Sequence, residues 1–126
     1  MISSSVRMDS VFVGSLTEIA LANEKFRYVV YTGSRQQLVV MSVSVNGKIP
    51  KEVHPDNDQL FRVESGIGVL TIGQAPHITH YAFSTGTTMV VPAGTYHEIR
   101  NTHTQPLKLS TIYTPPHHDS ARYDQS

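Results

Sequence analysis

The feature that most constrains the fold of this chain is a series of short β-branched and aromatic segments separated by turn residues. Gly, Pro, Asn and Asp stand between the segments, and these residues favour turns. Many short strands with turns at close intervals are typical of an antiparallel sandwich or barrel. The segments are FRYVVYTG, QQLVVMSVSV, QLFRVESG, IGVLTIG, THYAFS, TMVVPAG, HEIRN and LKLSTIYTPP. We therefore predict an all-β fold, an antiparallel β-barrel or jelly roll, with at most one short N-terminal helix.

The segment QQLVVMSVSV has the period of a strand that lines a core. One of its faces is wholly apolar and carries Val39, Met41, Val43 and Val45. The other face is mixed and carries Leu38, Val40, Ser42 and Ser44. Successive side chains of a strand point to opposite faces, so this alternation indicates that the apolar face is buried.

The stretch SLTEIALANEKF, residues 15–26, is the one segment that reads as a helix. Ser15 and Glu18 have the spacing of a capping box, in which a side-chain oxygen satisfies a backbone N–H of the first turn. We expect a single short helix packed outside the sheet.

Length and composition limit the classes of protein to which the chain can belong. With 126 residues we expect one domain, residues 1–126, with a flexible N-terminal segment (1–10) and a polar tail (117–126). The absence of cysteine excludes disulfides, zinc–thiolate sites and a thiol nucleophile.

Charge and hydropathy exclude two kinds of partner. Lys plus Arg and Asp plus Glu are both 10, so the formal net charge is zero and no basic stripe for nucleic acid is present. No apolar run is long enough to span a membrane, and the first residues lack a signal-peptide pattern. We expect a soluble, cytoplasmic protein.

The stretch PKEVHPDNDQLFRVESG, residues 50–66, crowds candidate metal ligands around one turn. Glu52 and His54 are two residues apart, which in a strand places both side chains on one face. Gln59 joins from the next strand, and PAGTYHEIRN places His97 at the start of another. If these strands close into one barrel, the four side chains can converge on a point. The alternative for the Glu–His pair is an exposed polar strand end.

These residues resemble the two sequence motifs of the cupin family. The second motif, P-x-G-x-x-H-x-x-x-N, is matched in full by Pro92, Gly94, His97 and Asn101. The flanks FRYVVYTG and YTPPHH are also similar to those of small single-domain cupins, so the resemblance covers roughly residues 25 to 118.

The first cupin motif, a glycine, H-x-H, a glutamate and a second glycine, is matched with two substitutions. His54 stands at the second histidine and Gly66 at the final glycine. Glu52 replaces the first histidine and Gln59 replaces the glutamate, while Gly47 is one residue nearer than the pattern asks. The group of small single-domain cupins includes members with this same Glu, His, Gln, His variation.

The resemblance implies one divalent metal ion held by Glu52, His54, His97 and Gln59. Two imidazoles and one carboxylate are the ligand type of non-haem iron, although Fe, Mn, Ni, Co or Zn could occupy such a site. Gln59 is either a ligand or a hydrogen-bond partner that orients the ligands. Met41, Phe61 and Tyr113 are candidate lining residues of a substrate pocket, and Tyr113 is the one expected to touch a substrate.

The leading functional hypothesis is a metal-dependent enzyme acting on a small oxygen-bearing molecule, of the isomerase or epimerase, lyase or dioxygenase type. The alternative is a non-catalytic small-molecule or metal-binding module, because no general acid or base beyond the ligands is evident. A structural β-sandwich is a third reading, and the complete second motif counts against it. The resemblance also implies a homodimer, for which VFVGSL and FRYVVY could supply an apolar surface.

The remaining polar residues are assigned structural roles. Asn101 is expected to tie down backbone at a turn. Asp56, Asn57 and Asp58 are expected to make the turn before Gln59 by satisfying nearby backbone groups. Surface positions are expected for His77, His80 and His103. His117 and His118 could fold over the barrel mouth, but the polar tail favours solvated side chains.

Overall fold

The computed structural model describes residues 10–118 and 123–125 of the chain. Within that part the elements follow one another as a short helix and then strands, which confirms the all-β prediction. They are α1 (Leu16–Ala22), β1 (Arg27–Thr32), β2 (Gln37–Val43), β3 (Lys48–Glu52), β4 (Asp58–Ser65), β5 (Ile67–Gln74), β6 (His77–Ser84), β7 (Thr88–Val91), β8 (His97–Asn101), β9 (Leu107–Thr114) and β10 (Tyr123–Asp124).

The strands form two antiparallel sheets. The larger sheet has the order β10-β1-β2-β9-β4-β7, and the smaller has the order β3-β8-β5-β6. Strands that are neighbours in space are mostly distant in sequence, as in β2 with β9 and β3 with β8, and this pattern is typical of a jelly roll. The predicted architecture is confirmed.

The main core fills the space between the two sheets. It takes side chains from β1 to β9, and those from β2, β4, β7 and β9 alternate along the strand, as the period-2 pattern predicts. Met41, Phe61 and Tyr113, which the sequence offered as pocket lining, are among its largest buried members. The buried set is Val29, Val39, Met41, Val43, Ile49, Phe61, Val63, Leu70, Phe83, Met89, Val91, Ile99, Leu107, Leu109 and Tyr113.

A second, smaller core explains the mixed outer face of β2. Val40 and Leu38 pack with Val30 and with α1, so the helix covers the outer face of the larger sheet. In β1 normal alternation places Val29 in the main core and Val30 against the helix, and the bulge between Val29 and Tyr31 lets the adjacent Tyr31 pack on the helix side as well.

Two expectations for this region were wrong. Val45 does not continue the buried face of β2, because the strand ends at Val43 and the Val45 side chain is 43% exposed. FRYVVY does not supply an open apolar surface, because its valines are fully buried in the two cores. In VFVGSL, by contrast, Val11 and Val13 are exposed. The homodimer stays a prediction.

The helix begins where its cap predicts and ends earlier than expected. Ser15 is the N-cap, and its hydroxyl oxygen accepts a hydrogen bond from the Glu18 backbone N–H at 3.1 Å. The helix ends at Ala22 rather than near residue 26, because Asn23 adopts an extended conformation and its side chain bonds the backbone of Lys25. Such local side-chain bonds compete with helical ones.

Asn101 ties down backbone at the end of β8, as expected. Its amide nitrogen donates to the carbonyl oxygens of Val43 and Gln105 at 3.1 and 2.9 Å, and its oxygen accepts from the His103 N–H at 2.8 Å. The side chain is 2% exposed. The asparagine of the second motif therefore joins the end of β2 to the turn after β8.

The ends of the chain were predicted to be a flexible segment and a polar tail. Residues 1–9 of the first, and residues 119–122 and 126 of the second, lie outside the described residues. Among the residues that are described, we find no helix with the length and apolar character needed to cross a membrane.

Candidate metal centre

Strand pairing brings two of the four predicted ligands together. Glu52 is the last residue of β3 and His97 the first of β8, and the two are register partners. The turn before β8 contains Gly94 with φ of 81°, a backbone conformation that favours glycine. The Gly94 N–H donates to the His54 carbonyl at 2.9 Å, so the same turn also fixes the residue that carries the third ligand.

His54 reaches the site from outside the strand. The sequence placed it with Glu52 on one face of a strand, but β3 ends at Glu52 and His54 lies in the segment that follows. The register of β3 against β8 also shifts between Ile49 and Glu52. The two side chains nevertheless lie together, so the predicted proximity is observed while its assumed strand geometry was wrong.

Three ligand atoms converge at this point. Oε2 of Glu52 lies 3.5 Å from Nε2 of His54 and 3.5 Å from Nε2 of His97. One ligand atom from each residue falls within 4.8 Å of the others. Two atoms that bind one ion at about 2.1 Å each, at angles of about 90–109°, are about 3.0–3.4 Å apart. The observed spacing is close to that value. We call these residues the three-residue cluster.

Buried nitrogen and oxygen atoms at the cluster have no hydrogen-bond partner among the described residues. They are Nε2 of His54, Nε2 of His97 and Oε1 of Gln59. The three side chains are almost fully buried, at 5%, 1% and 1% exposed respectively. A buried polar atom without a partner is costly, and an ordered water or a bound ion is one way in which native proteins satisfy it. The donor set therefore fits a metal ion.

His97 is oriented by its other ring nitrogen. Nδ1 of His97 lies 3.0 Å from the carbonyl oxygen of Thr95. If Nδ1 carries the proton, this contact leaves Nε2 as a lone-pair donor directed at Glu52. Metal-binding histidines are commonly held in this way by a backbone carbonyl.

Gln59 points into the barrel, and its neighbour points out. The Gln59 amide nitrogen donates to the Thr111 hydroxyl at 2.9 Å, which leaves the amide oxygen as the atom without a partner. Gln59 is the register partner of Tyr113, whose ring contacts His54. Asp58 is exposed and accepts a hydrogen bond from the Ala93 N–H at 2.9 Å. Asp58 therefore faces away from the cluster and satisfies a nearby backbone group, as its expected turn role requires.

The pKa of Glu52 depends on two opposed effects. Burial of the carboxyl acts to raise its pKa, but the nearby His54 and His97 side chains favour the ionised form, outweigh burial and hold the pKa well below its usual range. Glu52 is therefore a carboxylate at neutral pH. This ionised form is the one that a metal ligand requires.

The lowered pKa predicts how acid affects stability. Because the folded-state pKa of Glu52 lies below its ordinary value of 4.5, the carboxylate contributes stability that is complete above that value and is lost as pH falls toward the folded pKa. Glu52→Gln removes this contribution. Urea unfolding of metal-free protein between about pH 5 and pH 3 should show the stability difference between wild type and variant shrinking with acid. A stability difference between wild type and Glu52→Gln that stays constant over this pH range would contradict the lowered pKa of Glu52.

Aromatic rings enclose the buried side of the cluster. The Phe61 ring lies 6.0 Å from that of His97, and the Tyr113 ring lies 5.5 Å from that of His54 at 83°. Of the three predicted lining residues, these two contact ligand rings, and Met41 is buried in the main core. That Tyr113 touches a substrate stays a prediction.

The chain end contributes a neighbour that sequence reasoning assigned to solvent. The exposed His117 ring packs against His54, with centroids 4.3 Å apart, and stacks on Tyr113 at 5.3 Å. Asn57 was expected to serve its own turn, but its amide donates to the Pro115 carbonyl at 2.6 Å. The polar composition of the tail gave no indication of either contact. The one sequence feature that could have suggested them is the Pro-Pro-His-His order directly after a predicted strand.

His77, His80 and His103 lie away from the cluster. His77 and His80 are exposed on β6, as predicted, and His80 Nδ1 lies 2.9 Å from the Thr71 hydroxyl. His103 is half-buried rather than fully exposed, because it lies in the turn that Asn101 holds.

Comparisons with known proteins identify relatives. Over 117 residues the chain is 39% identical to the uncharacterized protein L612 of Acanthamoeba polyphaga mimivirus, which covers 92% of this chain and 72% of that protein. It is 36% identical to the uncharacterized protein YrkC of Bacillus subtilis, covering 85% of this chain but only 59% of YrkC.

A solved structure matches nearly the whole fold. The crystal structure of BH2720 from Bacillus halodurans superposes with a TM-score of 0.91 at 32% identity, covering 99% of this chain and 94% of that one. Residues 39–113 match the Cupin domain family, and this span includes both motifs and all four predicted ligands. The chain therefore belongs to the cupin family.

Proposed function

We propose that this cupin binds one divalent metal ion through Glu52, His54, His97 and Gln59, and that it is an enzyme acting on a small oxygen-bearing molecule. The observation that carries the proposal is the convergence of one candidate ligand atom from each of three residues within 4.8 Å, together with the absence of hydrogen-bond partners for the buried Nε2 atoms of both histidines among the described residues. The first three residues would supply one carboxylate and two imidazoles. Gln59 would add a neutral oxygen.

The proposed ligand set has a consequence for its chemistry. A bound divalent ion acts as a Lewis acid on a carbonyl or hydroxyl oxygen, and an iron ion can also activate dioxygen. The residues themselves hold a fixed negative charge at Glu52 and keep the histidine nitrogens buried. This environment is suited to an isomerase or epimerase, a lyase or a dioxygenase, and the fold alone does not choose among them.

Metal content tests the first half of the proposal. Protein prepared without a histidine tag should contain about one first-row metal ion per chain, or take up about one when offered Fe, Mn, Ni, Co or Zn. Glu52→Gln preserves the shape of the side chain and removes its charge, so it should lower this content. Wild-type protein that stays metal-free with all five ions would contradict the proposal.

Substrate screening tests the second half. Metal-loaded wild type should convert a member of a panel of sugars, keto acids and diketones, with and without air. Tight binding of a panel member without turnover, with Fe(II) and air present, would favour the non-catalytic binding module instead. Glu52→Gln is the matched control, since turnover that survives in it would not depend on the proposed metal ligands.

Substitution of Gln59 decides whether its oxygen binds the ion. Gln59→Glu keeps the shape and adds a charge, and the Thr111 hydroxyl can donate to the new carboxylate. Two opposite unit charges 4 Å apart attract each other by about 4 kcal/mol at an effective dielectric of 20. Desolvation of the new carboxylate cancels part of this gain, so we expect about 10- to 100-fold tighter metal binding.

The paired variant Gln59→Met removes the oxygen at similar volume and should weaken binding about tenfold or more. Competition with a chelator measures both affinities. Equal affinity in wild type, Gln59→Glu and Gln59→Met would exclude Gln59 from the site.

A further inference from the structure

A short segment after β9, residues 115–118, lies against the three-residue cluster, and we call it the C-terminal strap. Gln37, at the start of β2, holds it through three hydrogen bonds. Its amide oxygen accepts from the backbone N–H groups of His117 and His118 at 3.1 and 2.9 Å, and its nitrogen donates to the His118 carbonyl at 2.7 Å. On the strap only backbone atoms take part in these bonds. The bonds therefore fix the path of the strap independently of its side chains.

A second buried amide holds the start of the strap. Asn57 Nδ2 donates to the Pro115 carbonyl at 2.6 Å. Gln37 is 0% exposed and Asn57 is 7% exposed. A buried amide that loses its partners pays the cost of desolvation without compensation, which favours the docked strap over a detached one.

The docked strap places one ring against a predicted ligand. The His117 ring meets the His54 ring at 64° with centroids 4.3 Å apart, and it stacks on Tyr113 at 24°. Tyr113 itself meets His54 edge-on, at 83°. Two rings therefore restrict the rotation of the His54 imidazole, whose Nε2 lies 3.5 Å from the Glu52 carboxylate.

We propose that His117 is a positioning residue of the metal centre, and that the strap serves to hold its ring against His54. The proposal rests on the proposed function, because it assigns His117 a role in metal binding. The ring packing carries this role; His117 is not itself a ligand, and the three-residue cluster does not include it. A preset imidazole loses less rotational freedom when the ion binds, so binding is tighter.

Cobalt(II) binding to variants of His117 tests the proposal. His117→Ala should weaken Co(II) about threefold to tenfold, the range expected for an aromatic ring contact, and should alter the d–d absorption bands that report ligand geometry. His117→Phe keeps a ring and should bind Co(II) like wild type. His77→Ala, which removes an exposed histidine from β6, is the matched control and should leave affinity and spectrum unchanged.

A variant that frees the strap gives an independent test. Gln37→Met removes all three strap bonds at similar volume and should reproduce the Co(II) loss of His117→Ala. In metal-free protein it should also speed hydrogen exchange of the His117 and His118 amides, a readout that needs no metal.

The outcomes separate the two proposals. Wild-type affinity and spectrum in His117→Ala would overturn the positioning role while leaving the metal site standing. Equal losses in His117→Phe and His117→Ala would also overturn it, since the nitrogen rather than the packing would matter. Failure of wild type to bind Co(II) would overturn the positioning role as stated, and failure to bind any of Fe, Mn, Ni, Co and Zn would overturn the proposed function, whatever the exchange data show for the strap.

Discussion

Replacing both His54 and His97 with alanine is expected to abolish metal binding while leaving the two-sheet fold intact. The change removes both imidazoles of the three-residue cluster and leaves one carboxylate, which cannot hold a first-row ion against a chelator. Metal content, measured by elemental analysis, should fall from about one ion per chain to background.

The fold should survive because the two Nε2 atoms make no hydrogen bonds to the described residues. Each cavity costs at most roughly 2–5 kcal/mol, but the change also removes two buried nitrogen atoms that lack partners, which offsets part of that cost. Circular dichroism should therefore still show β structure, with a lower melting temperature. The exposed pair His77→Ala with His80→Ala removes the same number of histidines and should keep both metal and stability. Loss of β structure in the buried pair would show that the histidines are structural. Glu52→Gln, which makes no cavity, then tests the metal claim alone.

The second large effect is expected from Phe61→Ala. Phe61 is 0% exposed, belongs to the main core and packs its ring 6.0 Å from that of His97. Truncating a buried phenylalanine leaves a cavity and should lower the free energy of unfolding by about 3–5 kcal/mol. A loss of this size is a large part of the roughly 5–15 kcal/mol that stabilises a typical domain.

Urea unfolding of metal-free protein measures this loss without a contribution from metal binding. The matched control is Val90→Ala on the neighbouring strand β7, where the side chain is 64% exposed and the expected change is within about 0.5 kcal/mol. A loss below about 1 kcal/mol in Phe61→Ala would contradict the packing described between the two sheets. The Phe61→Ala variant should also bind metal more weakly than wild type, since His97 loses a packing partner.

Local patterns predicted the parts of the fold that depend on near neighbours in the sequence. The alternation around Val39 and Met41 predicted a buried strand face, and Ser15 with Glu18 predicted the start of the helix. The convergence of Glu52 and His97 was expected once the motifs were compared, and strand pairing accounts for it. In the first two cases the local spacing determines which way a side chain points, whereas Glu52 and His97 are far apart in the sequence and only the motif comparison related them.

The contacts that escaped prediction join residues far apart in the chain. Gln37 holds backbone about 80 positions away, and Asn57 holds backbone 58 positions away. Helical or strand periodicity involves only residues a few positions apart and cannot predict such a contact. The mixed face of β2 was ambiguous for the same reason, because only the docked helix shows what Val40 packs against. A polar tail is expected in solvent on composition alone. His117 is indeed exposed, but a hydrogen bond from its backbone N–H to the buried Gln37 amide holds it beside His54, and composition did not predict that contact.

The most direct test of the account is a crystal structure of metal-loaded protein with anomalous diffraction measured at the absorption edges of several metals. We expect one strong anomalous peak, bounded by the Glu52 carboxylate, Nε2 of His54, Nε2 of His97 and Oε1 of Gln59. The edge at which that peak appears identifies the ion. A peak only at surface histidines such as His77 or His80, or an empty cluster in crystals that hold metal elsewhere, would contradict the central claim.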